Sequence, residues 1–264
     1  MKNFGRICGI WFPAVILLWV FIYCLNAWSW FIIIRDGKHA KIPFWKVYKL
    51  TISGFALNYA TPVGLMGGEP YRIMELTPYV GASKATSSVI LYVMMHIFSH
   101  FCFWLASAIL YVLVEPMNWG MGIVLSVVVA ACLLAIYFFV KGYRNGMAVR
   151  SLRILGHVPF VKKWAQRFAV EKKESLERVD AQIAELHRQR KTTFYASLGL
   201  EFTARVVGCL EVYFILNILT SDVSFLACIL IMAFTSLFAN LFFFSPMQLG
   251  AGWPFPVLLA FIPD

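Results

Sequence analysis

The stretch Leu57-Asn58-Tyr59-Ala60-Thr61-Pro62-Val63-Gly64-Leu65-Met66-Gly67-Gly68-Glu69-Pro70-Tyr71-Arg72 decides the fold. It interrupts an apolar run with two prolines, three glycines and two opposite charges. A second break repeats its skeleton. Thr61-Pro62, Gly68 and Pro70 are echoed by Ser245-Pro246, Gly252 and Pro254, each a hydroxyl residue before a proline with glycine and proline at the same offsets. Lipid supplies no hydrogen-bond partners, so such backbone survives at membrane depth only where protein or a watery cavity satisfies it. Paired breaks in two halves of a membrane protein point to a binding site. With 17 Gly and 11 Pro in the chain, chance competes with internal duplication as the source of the echo.

The surrounding sequence is that of a membrane protein. Apolar residues make up 61% of the 264, charged residues only 14%, and mean hydropathy is +0.75. A soluble domain runs nearer about 45–50% apolar. No compositional shift marks off a soluble unit, so 1–264 reads as a single integral membrane domain. The expected class is all-α: a polytopic transmembrane helix bundle with two re-entrant or broken helical hairpins.

The routing follows from helix length and basic loops. Residues 7–34 exceed a signal-peptide core, lack a small-residue cleavage site, and read as a spanning helix. Basic residues Arg35, Lys38, Lys41, Lys46 and Lys49 follow, which the positive-inside rule places in the cytoplasm. Residues 47–60 make a helix too short, at ~1.5 Å per residue, to cross a ~30 Å core. It should stop at Pro62, and a second short piece over 70–78 should lead back. Residues 83–114 go out, 115–118 turn, and 121–140 return to a loop over 141–191 that carries 13 Lys or Arg against 5 acidic residues. Residues 193–219 and 225–244 form the last pair. The first hairpin then enters from inside and the second from outside, as an inverted-topology duplication would require.

That topology accounts for the +10 charge, so nucleic acid is a poor partner. Within the loop, Leu176, Val179, Ile183 and Leu186 recur at helical spacing, predicting an amphipathic helix. It serves either as a solvated connector or as a contact with an anionic leaflet. Six cysteines in apolar segments, with no CxxC spacing, indicate neither disulfides nor zinc. His96 and His100 share a helix face with no acidic neighbour in sequence, which favours an interhelical hydrogen bond over a metal pair. No nucleotide loop or hydrolase motif is present, and the sequence calls for no cofactor.

Charges inside spans are expensive and by default functional. Glu69 and Arg72 follow the Gly67-Gly68 break. A helix beginning near Pro70 would aim its free amides and positive dipole end into the break, where Arg72 can fork onto a phosphate. Mutual neutralisation of Glu69 and Arg72 is the structural alternative. Asn58 and Thr61 offer neutral hydrogen bonds there, or merely satisfy a broken helix end. Glu201 and Arg205, four apart, read as a mutually neutralising pair. Glu211, without a local partner, is the better candidate for a coupling carboxylate, and a pair with a residue on another helix would explain it equally well.

These residues carry a resemblance. The 57–72 stretch, continued by Gly81-Ala82-Ser83-Lys84-Ala85, resembles the signature of flippase-like membrane proteins, a superfamily that includes the transmembrane region of lysylphosphatidylglycerol synthases. Pro246 to Gly252 is similar to that family's second Pro- and Gly-rich motif. Trp253 stands where the family usually has an acid, and Tyr92, Val93 and His96 where it tends to place Glu-Arg and a later Asp. By the same comparison the chain is expected to lack the family's first and last helices.

The resemblance implies a protein handling amphiphiles with anionic or zwitterionic heads. The leading expectation is a lipid flippase or lipid-binding translocator in the cell membrane, with membrane phospholipids or lipid-linked intermediates as partners. The expected head site comprises Asn58, Thr61, Pro62, Gly64, Gly67, Gly68, Glu69 and Arg72 with Pro246, Gln248, Gly250 and Gly252. A membrane transferase, with Glu69 or Glu211 as general base, is the rival, although no metal-carboxylate cluster accompanies it. A non-catalytic scaffold is the third class.

Overall fold

Residues Phe12–Ile34 form α1, apolar around its whole circumference, as suits a segment with lipid on one side and protein on the other. The computed structural model describes residues 12–35, 42–60, 67–114, 116–145, 191–219 and 223–241. Beyond α1 the helices are α2 (Phe44–Ala60), α3 (Gly68–Val80), α4 (Ala82–Val114), α5 (Trp119–Asn145), α6 (Lys191–Leu219) and α7 (Phe225–Leu241). The described residues are all-helical, with α1, α4 and the stretch Trp119–Tyr137 of α5 long and apolar enough to cross a membrane.

Local chemistry sets the helix ends. α2 ends at Ala60, and the sequence that follows, Thr61-Pro62, disfavours a helix because a residue before proline avoids helical geometry. Pro70 falls in the first turn of α3, where its missing N–H would have had no helical partner. The helix runs on through Pro78 to Val80, further than the expected end at 78. Gly81 closes it with φ of 82°, donating its N–H to the Thr77 carbonyl at 2.8 Å, and α4 begins at the next residue. Asn118 caps α5, its Oδ1 accepting from the Met121 amide at 2.8 Å, and Ser224 Oγ accepts from Ala227 at 3.1 Å to cap α7.

α1 lies along α6. Leu18 and Ile22 bury against Ala204, with Val207, Leu210 and Phe214 alongside, while further on Ser29 Oγ meets Ser197 Oγ at 2.8 Å. Ascending residues of α1 therefore meet descending residues of α6, and the two are antiparallel. α4 runs with α6, since Phe98 faces Phe194 and Phe103 faces Phe202. These senses agree with the routing derived from the loops. α7 is tied to α4 by Trp104 Nε1 donating to Ser236 Oγ at 2.8 Å.

α2 and α3 form an antiparallel hairpin. Lys46 near the start of α2 pairs with Glu75 in the second half of α3 at 2.6 Å, and Asn58 near the end of α2 bonds the first residue of α3. α2 begins at Phe44, three residues before the expected start, so Lys46 lies inside the helix rather than in a loop. A core of Trp30, Ile33, Ile34, Val47, Leu50, Leu76 and Tyr92 seats the hairpin against α1 and α4. Thr61, Pro62 and Gly64 lie outside the described residues, as do the amphipathic segment of the 141–191 loop and the whole second break with Pro246, Gln248, Gly250 and Gly252.

Candidate functional site

Thr51, Gly54 and Asn58 fall at helical spacing on one face of α2, and each meets the first turns of α3. Gly54 leaves no Cβ, and the guanidinium of Arg72 occupies that space: a Cβ there would collide with Arg72 Nε and sit 2.7 Å from Cζ. Gly68 faces the Gly54 carbonyl just as closely, so two glycines bring the backbones of α2 and α3 into contact. Arg72 is thereby 1% exposed. Its Nη2 donates to the Thr51 carbonyl at 3.2 Å and its Nη1 to Glu69 Oε1 at 3.4 Å. Phe55, Tyr92 and Trp30 surround the cation, with ring centroids 4.8, 5.4 and 5.9 Å from Cζ.

Asn58 completes this cluster. Its Oδ1 accepts from the Gly68 amide at 2.7 Å, and its Nδ2 donates to Glu69 Oε1 at 3.0 Å. One amide at the start of α3 is thus already engaged, where the sequence suggested it would be open to a ligand. Gly67, with φ of −83° and ψ of −30°, is the residue from which α3 starts. The structure brings Asn58, Gly67, Gly68, Glu69 and Arg72 together as expected.

A second polar cluster adjoins the first. His96 Nδ1 and Glu201 Oε2 are 2.8 Å apart across the α4–α6 contact. Arg205 donates through Nε to Ser99 Oγ and through Nη2 to the His96 carbonyl, both at 2.7 Å. Glu201 and Arg205 each bond across to α4, and although the carboxylate still acts electrostatically on the guanidinium, among the described residues no close ion pair joins them. A helix surface offers only a solvent-exposed i,i+4 pair, whereas crossing to α4 satisfies His96, Ser99 and a backbone carbonyl together. His96 has no acidic neighbour in sequence, and the interhelical hydrogen bond expected of it is made with an acid 105 positions away. Glu211 is part-buried further along α6.

Phe55 and Tyr92 join the clusters. Both rings face Arg72, and both face His96, at centroid distances of 5.7 and 6.4 Å. Along this seam Arg72 Nε, Trp30 Nε1, Tyr92 Oη and Glu201 Oε1 are buried without a hydrogen-bond partner among the described residues. Unpaired buried polar atoms are costly, about 1–3 kcal/mol each, and native structures hold few of them. Sequence reasoning passed over Gly54, Thr51, Trp30, Phe55 and Ser99, and met Tyr92 only as a departure from the family pattern. The Thr51–Gly54–Asn58 stripe was the available signal, being small and polar on one face of an otherwise apolar helix.

Long apolar helices enclosing charged and aromatic groups define an integral membrane protein with an internal polar seam. The family model for the lysylphosphatidylglycerol synthase transmembrane region matches residues 6–252, and the chain belongs to that family. Membership ties it to membrane proteins of lipid modification or translocation. No curated protein and no solved structure matches the chain significantly.

Proposed function

We propose that the protein binds the head of a phospholipid or lipid-linked intermediate and moves it between leaflets of the cell membrane, without altering it chemically. In this reading the α2–α3 hairpin is a re-entrant break, and the basic loops over 35–49 and 141–191 face the cytoplasm, the latter against an anionic leaflet. The observation that carries the reading is the state of Arg72. A guanidinium has five N–H donors, and here a carbonyl at 3.2 Å and a long ion pair at 3.4 Å answer only two of its three nitrogens. Taking a charge out of water costs several kcal/mol unless its partners are good. A cation so incompletely met favours an anionic oxygen in planar, bidentate contact.

Asn58 and Glu69 supply the rest. Glu69, with its side chain 27% exposed, stands between Arg72 and the surface, where the amine of a zwitterionic head would meet it. Acyl tails would remain in the bilayer along the exposed faces of α1 and α5, which carry Leu17, Phe21, Ile123 and Val127.

The test is movement of a fluorescent phospholipid in proteoliposomes, with mass spectrometry of the recovered lipid. Wild type should move the lipid unmodified. Arg72→Lys, which keeps the charge and loses the fork, should move it more slowly, and Arg72→Ala should abolish the movement. Full transport by a folded Arg72→Ala protein would remove this residue from the head site. A chemically altered head would instead identify a transferase.

A further inference from the structure

We propose that His96 and Glu201 share one exchangeable proton, and that this pair switches the anion affinity of the Arg72 site. The inference rests on the translocation reading and adds the coupling that it lacks. Glu201 is 1% exposed and its Oε2 lies 2.8 Å from His96 Nδ1, while Oε1 has no partner among the described residues. The His96 side chain is 31% exposed. A buried carboxylate therefore bonds an imidazole that is itself only partly buried, an arrangement by which a proton can enter a site in two short transfers.

The proton balance is simple. A proton arriving at His96 Nε2 is matched by transfer of the Nδ1 proton to Glu201 Oε2, which converts carboxylate to carboxylic acid and leaves the imidazole neutral. Removal runs the same steps backward. Loading changes the net charge of the pair from minus one to zero.

Arg72 is placed to register that change. It acts electrostatically on both His96 and Tyr92, and Glu201 acts on Tyr92 as well. The other groups facing the pair are Arg205 from α6, and His100 and Tyr92 from α4; Tyr23 of α1 reaches Tyr92. Both arginines keep their charge throughout, so loading the pair changes the charge of this set by one unit. With the proton absent, the carboxylate offsets part of the Arg72 charge. With it present, Arg72 is less compensated and an anionic head binds more tightly, and by linkage a bound head favours the proton.

Infrared titration of the full-length protein in nanodiscs reads the proton directly, from about pH 5 to about pH 8. A protonated-carboxyl band that grows as pH falls, is lost in Glu201→Gln and persists in Glu211→Gln is the expected result. Transport of fluorescent phosphatidylglycerol in phosphatidylcholine vesicles should rise as pH falls in wild type. In Glu201→Gln, which mimics the loaded state, it should stay at the acid level at every pH. If Glu201→Gln fails to fold, His96→Gln should displace the band along the pH axis. A wild-type protein that moves lipid but shows no titrating band, or the same pH profile in wild type and Glu201→Gln, overturns the switch and leaves translocation standing. A titrating band without lipid movement in any variant supports the proton pair and overturns translocation.

Discussion

Gly68 and Gly54 meet backbone against backbone: a Cβ on Gly68 would strike the Gly54 carbonyl oxygen and lie 2.8 Å from Asn58 Oδ1. Two helices approach this closely only where neither carries a side chain, and it is this approach that closes the hairpin over Arg72.

Gly68→Ala should therefore destabilise more than Gly54→Ala. At Gly68 the obstacle is backbone and a bonded amide side chain, whereas at Gly54 it is a guanidinium that can shift at the expense of its own contacts. Overpacking of this kind costs about 1–3 kcal/mol, and Gly68→Ala should lie at the upper end. Thermal unfolding of the two variants in the same detergent gives the order. Wild-type melting of Gly68→Ala would mean that the hairpin does not depend on the close approach.

Asn58 separates two effects. Asn58→Ala strands the Gly68 amide, which accepts no substitute from Ala, at about 1–3 kcal/mol. Asn58→Asp retains an acceptor for that amide but sets a second carboxylate against Glu69 Oε1, where Nδ2 donated. The Asp variant should be the less stable at neutral pH and should recover on mild acidification, as one of the two carboxylates takes a proton. Equal unfolding midpoints for Asn58→Asp at neutral and acid pH would argue against the Asn58–Glu69 contact.

The Lys46–Glu75 pair gives a pH dependence outside the spans. The hydrogen bond that Lys46 donates to Glu75 is the main cause that raises the Lys46 ammonium above its usual 10.5. A raised folded-state value means the stabilisation is complete below the unfolded value and fades as pH climbs through the folded one, here above 10.5. Both side chains are substantially exposed, so the contribution stays within about 1 kcal/mol. The stability gap between wild type and Lys46→Met should be constant through neutrality and close in strong alkali. A gap that persists there would assign the effect to packing of the lysine stem.

Much of the fold was legible because bilayer thickness and loop charge constrain helix number and sense. The antiparallel α2–α3 hairpin, too, followed from a short helix with a Thr61-Pro62 dipeptide after it in sequence. What local sequence does not encode is partner choice across helices. Glu201 and Arg205 satisfy the i,i+4 rule and yet bond to His96 and Ser99, because a buried interface offers several acceptors at once while a helix surface offers one. The aromatic wall of Trp30, Phe55 and Tyr92 was hidden for a different reason. In a chain with 24 Phe, 9 Trp and 11 Tyr, no single ring stands out until three of them converge on one cation.

Gly81 has a mechanical consequence. One residue separates α3 from α4, with its φ of 82° making the corner and open space around its Cα. There is no slack chain to absorb a displacement, so the two helices form a cranked lever. Any tilt that loosens the grip on Arg72 is delivered as a swing of the first turns of α4, the same rod that carries His96.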